Sequence, residues 1–241
     1  MILFVVLSSL QISVDSLENT MAQDPQIETL VQLNKCYLAE GEYHKSMELL
    51  KKYERHFVKE TEKALIAFET GNAYMFAGDI VRAHDLFIRV VSTYPRSGIA
   101  NDAADRLYLI EAARDDTVQL KRLVNVMRLL ETEQYPAAVD SARRLLKTVV
   151  APYAYYYLAL VYTVMDDVPQ ALGALTEMRK EHPVHGVYDA VLLEADIYMR
   201  LDRKKEAREI LENLIVLRPN TIYALRARQR LSSMDSSDLR E

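Results

Sequence analysis

His182 and His185, flanking Pro183-Val184, are the nearest thing in this sequence to a pair of metal ligands. A zinc site takes three or four ligands in tetrahedral array. No Cys or acidic cluster lies near this pair, which falls in a predicted loop, so no metal is expected. Asp115-Asp116 and Asp166-Asp167 look like paired carboxylates for general acid–base work. Each pair stands at a predicted helix junction, where Asp side chains cap backbone N–H groups. Cys36 is the single cysteine, so no intrachain disulfide can form. Its flanks, Asn34-Lys35 and Tyr37-Leu38, read as helix interior, which predicts a buried thiol acting as a small hydrophobe. His44, His56 and His84 sit among charged neighbours on predicted second helices and read as surface residues. Phosphate-binding Gly-rich loops, Gly-x-Ser-x-Gly and His-Glu-x-x-His are absent from the sequence. The residues therefore predict a non-catalytic chain with no cofactor and no metal.

The elements that carry these residues are predicted to be helices. Six Gly and seven Pro in 241 residues are too few for a turn-rich β protein and suit long helices with short connections. The net charge of −5 is spread over interleaved acidic and basic residues. Nucleic-acid binding needs a clustered basic surface, so it is not expected. Fifteen Tyr and no Trp make tyrosine the amphipathic residue available for interfaces.

One frame recurs along the chain. Tyr74-x3-Gly78-x4-Ala83-x3-Phe87-x7-Pro95 reappears as Tyr162, Asp166, Ala171, Leu175, Pro183, and again as Tyr198, Asp202, Ala207, Leu211, Pro219. Weaker copies read Tyr37, Gly41, Ser46, Leu50 and Leu129, Glu133, Ala138, Ala142. Gly71 precedes Tyr74 by three residues. The frame resembles the tetratricopeptide repeat, a helix–turn–helix unit of roughly 34 residues. The resemblance covers about residues 27–221 and implies an all-α, right-handed α-solenoid of about five repeats plus two closing helices. Small residues are expected where the two helices of a repeat cross, αL-tolerant or capping residues at the turn, and Pro after the second helix.

The small positions Ser46, Ala83, Ala138, Ala171 and Ala207 lie 37, 55, 33 and 36 residues apart. The long step is filled by residues 97–114, whose Ala100, Ala103, Ala104, Leu107, Tyr108 and Ile110 form a helical apolar stripe. Pro95-x4-Ala100-x2-Ala103-x2-Arg106-Leu107 recurs at an offset of 124 as Pro219, Ala224, Ala227, Arg230, Leu231. The expected organisation is an apolar N-terminal segment (1–24), a first block with closing helix (25–116), a second block with closing helix (117–231) and a polar tail (232–241). The apolar run Met1–Leu10 is too short to span a bilayer. It matches a secretory h-region in length, although Lys35 is the first basic residue; the alternative is a segment that docks on the array. No transmembrane span is expected.

Function in this family lies on the groove lined by the first helix of each repeat. The resemblance assigns partner contact to Leu65, Phe68, Asn72 and Met75; to Leu120, Leu123, Met127 and Leu130; and to Tyr153, Tyr156 and Leu160. The fifth copy offers Asp189, Leu192, Asp196 and Met199. Phe68 stands where family members that grip a terminal carboxylate would need Lys, which disfavours that mode. The implied partner is a protein or peptide, an amphipathic helix or extended apolar segment, with membership of a multiprotein complex. These side chains could instead fill the groove from within the chain. In repeat style the closing helices resemble those of bacterial cell-envelope proteins, an expectation of periplasmic or envelope location; the alternatives are a cytoplasmic adaptor or chaperone, or a recruiting domain of an enzyme complex.

Overall fold

The computed structural model describes residues 13–183 and 186–238, and among them every regular element is a helix. The apolar run Met1–Leu10 lies outside the described residues. Two compact units divide the chain, Met1–Leu107 and Tyr108–Glu241. The first holds α1 (Val14–Gln23), α2 (Ile27–Glu40), α3 (Tyr43–Tyr53), α4 (Glu60–Phe76) and α5 (Ile80–Thr93), and α6 (Gly98–Ala112) crosses the boundary. The second holds α7 (Thr117–Glu131), α8 (Tyr135–Arg143), α9 (Ala151–Val164), α10 (Val168–Glu181), α11 (Tyr188–Arg200), α12 (Lys204–Leu217) and α13 (Ile222–Asp238).

Each unit is a stack of helix hairpins, the all-α solenoid arrangement that the repeat predicts. In the first, α2/α3 and α4/α5 are the hairpins, with α3 packed on α4 and α2 beside α4. In the second, α7/α8, α9/α10 and α11/α12 stack in order, and α7, α9, α11 and α13 touch in sequence along one side.

Three positions of the frame explain the hairpins. At the turn, Gly41, Gly78, Glu133, Asp166 and Asp202 all adopt left-handed backbone, with φ of 77, 84, 58, 59 and 57°. In every copy the next residue donates its backbone N–H to the carbonyl of the frame's Tyr or Leu: Glu42 to Tyr37, Asp79 to Tyr74, Gln134 to Leu129, Asp167 to Tyr162 and Arg203 to Tyr198, at 2.8–2.9 Å. That is the six-to-one closure of a Schellman cap, which satisfies an end carbonyl and reverses the chain. At the crossing, Ser46, Ala83, Ala138, Ala171 and Ala207 are fully buried, and one turn later Leu50, Phe87, Ala142, Leu175 and Leu211 are buried as well. After the second helix, α5, α10 and α12 each stop two residues before Pro95, Pro183 and Pro219, because the residue before proline is pushed out of the α region.

One acid of each junction pair is a helix cap. Asp116 accepts from the Gln119 N–H at 3.1 Å and Asp167 from the Gln170 N–H at 3.2 Å. Three smaller expectations change. Residues 14–23 form a helix, α1, whose Leu17 and Met21 are buried against α2 and α3 with Leu30, Leu33 and Tyr53. Cys36 is half-buried rather than buried, with its thiol pushed up by burial and by Glu40. His56 lies in the turn after α3, not on a helix, with its ring edge-on to Phe57 at 5.0 Å.

Candidate protein-binding surface

The first helix of each repeat presents the residues to which the sequence assigns partner contact. Nine of those eleven are buried: Phe68, Asn72, Met75, Leu120, Leu123, Met127, Leu130, Tyr156 and Leu160. Leu65 and Tyr153 are half-buried. Met75, Leu120, Leu123 and Met127 are 2% exposed or less and serve the chain's own core. In the fifth copy Leu192 is buried, while Asp189, Asp196 and Met199 are half-buried.

In the first unit a polar network joins α2, α3 and α4. Ser46 Oγ donates to Asn34 Oδ1 at 2.6 Å, and Asn34 Nδ2 donates to Glu69 Oε2 at 3.0 Å. All three residues are buried. Burial pushes the Glu69 carboxyl up, opposed by Lys35, by Arg106 and by hydrogen bonds from Asn72 and Asn34. Arg106 Nε donates to Asn72 Oδ1 at 3.3 Å, and its guanidinium lies 6.0 Å above the centre of the Phe68 ring. Arginine from the closing helix thus sits over two of the residues assigned to a partner. Asn34 and Ser46 occupy the places of Gly71 and Ala83 in the next copy, 37 residues on. A polar residue at both small positions was the sequence signal for this network.

In the second unit the closing helix makes ionic pairs, of which Arg230–Asp196 corresponds to Arg106–Asn72. Arg230 grips Asp196 through Nε and Nη2 at 2.7 and 2.8 Å, and Arg226 Nη1 lies 3.1 Å from Asp189. The tyrosines of α9 are largely taken up internally. Tyr155 donates to Glu181 at 2.8 Å, and Arg143 donates to the Tyr162 hydroxyl at 2.7 Å. Both the ordinary burial of Tyr155 and its bond to Glu181 push its hydroxyl up to about 12. Tyr153 is the member of the Tyr153–Tyr157 run that reaches the surface.

A further cleft of about 280 Å³ opens between α1 and α3, lined by Glu18, Glu48, Lys45 and Lys52 around Tyr37 and Tyr53. Two acids and two bases give it no net sign. His182 caps the end of α10 with its ring 6.1 Å from that of Tyr155. His185 lies outside the described residues. Among the described residues no three His, Cys, Asp or Glu are placed to hold a metal, and no helix is long and apolar enough to cross a membrane.

None of the curated proteins matches the sequence. Solved structures similar to it include the TPR2AB-domain:pHSP90 complex of yeast Sti1, at 14% identity over 90% of this chain and 87% of that one, with a TM-score of 0.42. BtubC (BKLC) from P. vanneervenii is 15% identical over 92% and 88%, with a TM-score of 0.35. Residues 1–338 of Acl4, the assembly chaperone of RpL4, are 14% identical over 88% and 99%, with a TM-score of 0.30. All three are too remote to lend this chain a partner. The family pattern of the tetratricopeptide repeat matches residues 153–183 and 189–221, which are the hairpins α9/α10 and α11/α12. These two segments are matched as tetratricopeptide repeats, the repeat that the internal frame suggests.

Proposed function

We propose that this protein is a non-catalytic scaffold that holds a partner peptide or helix along the first-helix side of its repeats. One observation carries the reading: first helices adjoin one another in each unit, α2 with α4 and α7 with α9 and α11, so successive repeats offer residues to one extended ligand. Leu65 in the first unit and Tyr153 in the second are the half-buried apolar contacts on that side. Phe68, Met75, Leu123, Met127, Tyr156 and Leu160, on these or the adjoining first helices, are buried. Aromatic and apolar anchors in a partly desolvated setting are what a few-residue hot spot requires.

A photo-crosslinking residue at Leu65 or Tyr153 is expected to capture a discrete partner, and the same residue at the exposed Lys205 on α12 is not. Equal capture from all three sites, or capture from Lys205 alone, would sink the proposal. Carboxylates at Leu65 and Tyr153 should abolish capture while the helical content stays intact. The same change at Met127 or Phe68 would bury an unpaired charge and unfold the repeat instead.

A further inference from the structure

The second helix of the fifth copy ends differently from the other four. Nine and ten residues after the small crossing residue stand Arg55 and His56, Ser92 and Thr93, Lys147 and Thr148, Lys180 and Glu181, and then Val216 and Leu217. The polar pairs are exposed apart from the half-buried Thr148, and the apolar pair is no better covered, at 77% and 73% exposed. Val216 lies on the opposite side of α12 from the buried Ala207, Leu211 and Leu214. The closing helices show the same change across the 124-residue offset: Leu225 of α13, 49% exposed, stands where α6 has Asn101. Single exposed leucines are ordinary on a protein surface, but an apolar cluster confined to one copy of a repeated position marks a place of contact.

The charges around this corner are sorted by side. Arg218, at the C-cap of α12, lies over the Tyr188 ring at 4.9 Å, and Arg228 Nη2 donates to the Pro219 carbonyl at 3.3 Å. Both cations thus stand at the connection from α12 to α13, and Arg228 is one turn beyond Leu225 on the same face of α13. Glu212 lies to the other side, exposed one turn before Val216 on the outward face of α12. Among the described residues Glu212, Arg218 and Arg228 have no oppositely charged partner. Their neighbours Arg208, Arg226 and Arg230 all have one, in Asp235, Asp189 and Asp196. An apolar centre with a carboxylate at one end and two guanidinium groups at the other is complementary to a second copy of itself across a two-fold axis.

We infer that two copies of the chain associate through this corner as a two-fold dimer. Val216, Leu217 and Leu225 of the two protomers pack together, and Glu212 of each faces Arg218 and Arg228 of the other. Removing the apolar side chains from water supplies the attraction. Charge sets the antiparallel direction, since a parallel approach of the two α12 ends would set like charges together. The patch is smaller than a standard interface, so the association is weak and depends on concentration. The contact uses the outer side of α12 and does not depend on a ligand on the first-helix side.

Sedimentation equilibrium of the full chain across about 1–300 μM reads the association directly. The weight-average mass should rise from 27.7 kDa toward twice that value. Val216→Asp with Leu217→Asp should weaken association at least about tenfold. Ser92→Asp with Thr93→Asp, at the equivalent place in the second copy, should leave it unchanged. All four side chains are exposed, so circular dichroism should show the same helical content in both variants. Glu212→Arg, and separately Arg218→Glu with Arg228→Glu, should each weaken self-association about tenfold, and an equimolar mixture of the two should recover the dimer. A wild-type chain that stays monomeric over the whole range overturns the dimer. So does association that survives the two aspartates, or a mixture no more associated than its components. Flotation of a monomeric wild-type chain with vesicles of phosphatidylserine and phosphatidylcholine, lost with the aspartates, would assign the patch to a lipid surface and overturn the dimer as well.

Discussion

Arg106 on α6 donates to Asn72 on α4 at 3.3 Å, and 124 residues later Arg230 on α13 makes the corresponding bond to Asp196 on α11 at 2.7 Å. Both pairs are 34 residues apart, one repeat length, so each joins a closing helix to the first helix before it. The acceptors differ for a reason that lies behind them. Asn72 also hydrogen-bonds the buried Glu69, whereas Leu193 holds the corresponding place in the second unit. A carboxylate at 72 would gain an ionic partner in Arg106 but lose the donor to Glu69 and add a second negative charge beside it. We predict that Asn72→Asp destabilises the chain by about 1–3 kcal/mol, although it copies the second unit. Asp196→Asn, which copies the first, should cost about 0.5–1 kcal/mol. Urea unfolding of both variants tests the pair, and a neutral or stabilising Asn72→Asp would falsify the account.

Glu69 itself sets a pH dependence. Burial, the largest influence, raises its carboxyl above the ordinary glutamate value, and the cations Lys35 and Arg106 only partly offset this. An acid raised in the fold binds its proton more tightly there than in the unfolded chain. The fold therefore loses stability from this group as pH rises from about 4.3, the unfolded value, through the higher folded value. Glu69→Gln holds the neutral shape at every pH. Its melting temperature relative to wild type should climb between pH 4 and pH 8, as read by circular dichroism. A constant difference across that range would show that Glu69 does not titrate between the two states.

The hairpins were legible because their determinants are local. Tyr74, Gly78, Ala83, Phe87 and Pro95 fix an end, a reversal, a close crossing and a stop within 22 residues, and the same logic holds at Tyr162 and Tyr198. The surface was less legible, because a helix position that faces a partner and one that faces a neighbouring helix carry the same apolar residue. Leu123 and Met127 read as groove residues and are core. Helix α1 is less legible for a related reason: its polar sequence buries only Leu17 and Met21, and its partners lie far along the chain, Tyr53 donating to the Met21 carbonyl at 3.1 Å. The Asn34–Glu69 bond joins residues 35 apart and could be suspected only once the repeats were aligned.

Gly71 is required by a neighbour and not by its backbone angle. A Cβ built on it would lie 2.6 Å from Cε1 of Phe87, whose ring is fully buried. That ring is also tilted against Phe68, with their centres 5.7 Å apart. Gly71→Ala should therefore destabilise by about 1–3 kcal/mol despite the better helix propensity of alanine. Combining it with Phe87→Leu should cost less than the sum of the two single changes, since leucine gives back the space the methyl needs. Additive losses in a double-mutant cycle would mean that the close approach of Gly71 and Phe87 is not what selects glycine.

Glu133 presents the opposite case, a residue whose backbone asks for glycine and does not have it. Its φ is 58°, in the turn where Gly41 and Gly78 stand in other copies, and its side chain is exposed. An L-residue with a Cβ pays steric strain in the left-handed region, about 1 kcal/mol, whereas glycine enters it without a clash and loses more unfolded-state freedom. The strain exceeds the entropy term when the side chain makes no compensating bond, so Glu133→Gly should stabilise the α7/α8 hairpin by roughly 0.5–1 kcal/mol. The same change at Asp166 should do less, because Asp166 Oδ1 accepts from Arg200 Nη2 at 2.8 Å and that bond would be lost. Gly78→Ala, run alongside, should destabilise by a similar amount with the sign reversed. If Glu133→Gly lowers the unfolding midpoint while Gly78→Ala leaves it unchanged, the left-handed turn is not the constraint that these five positions share.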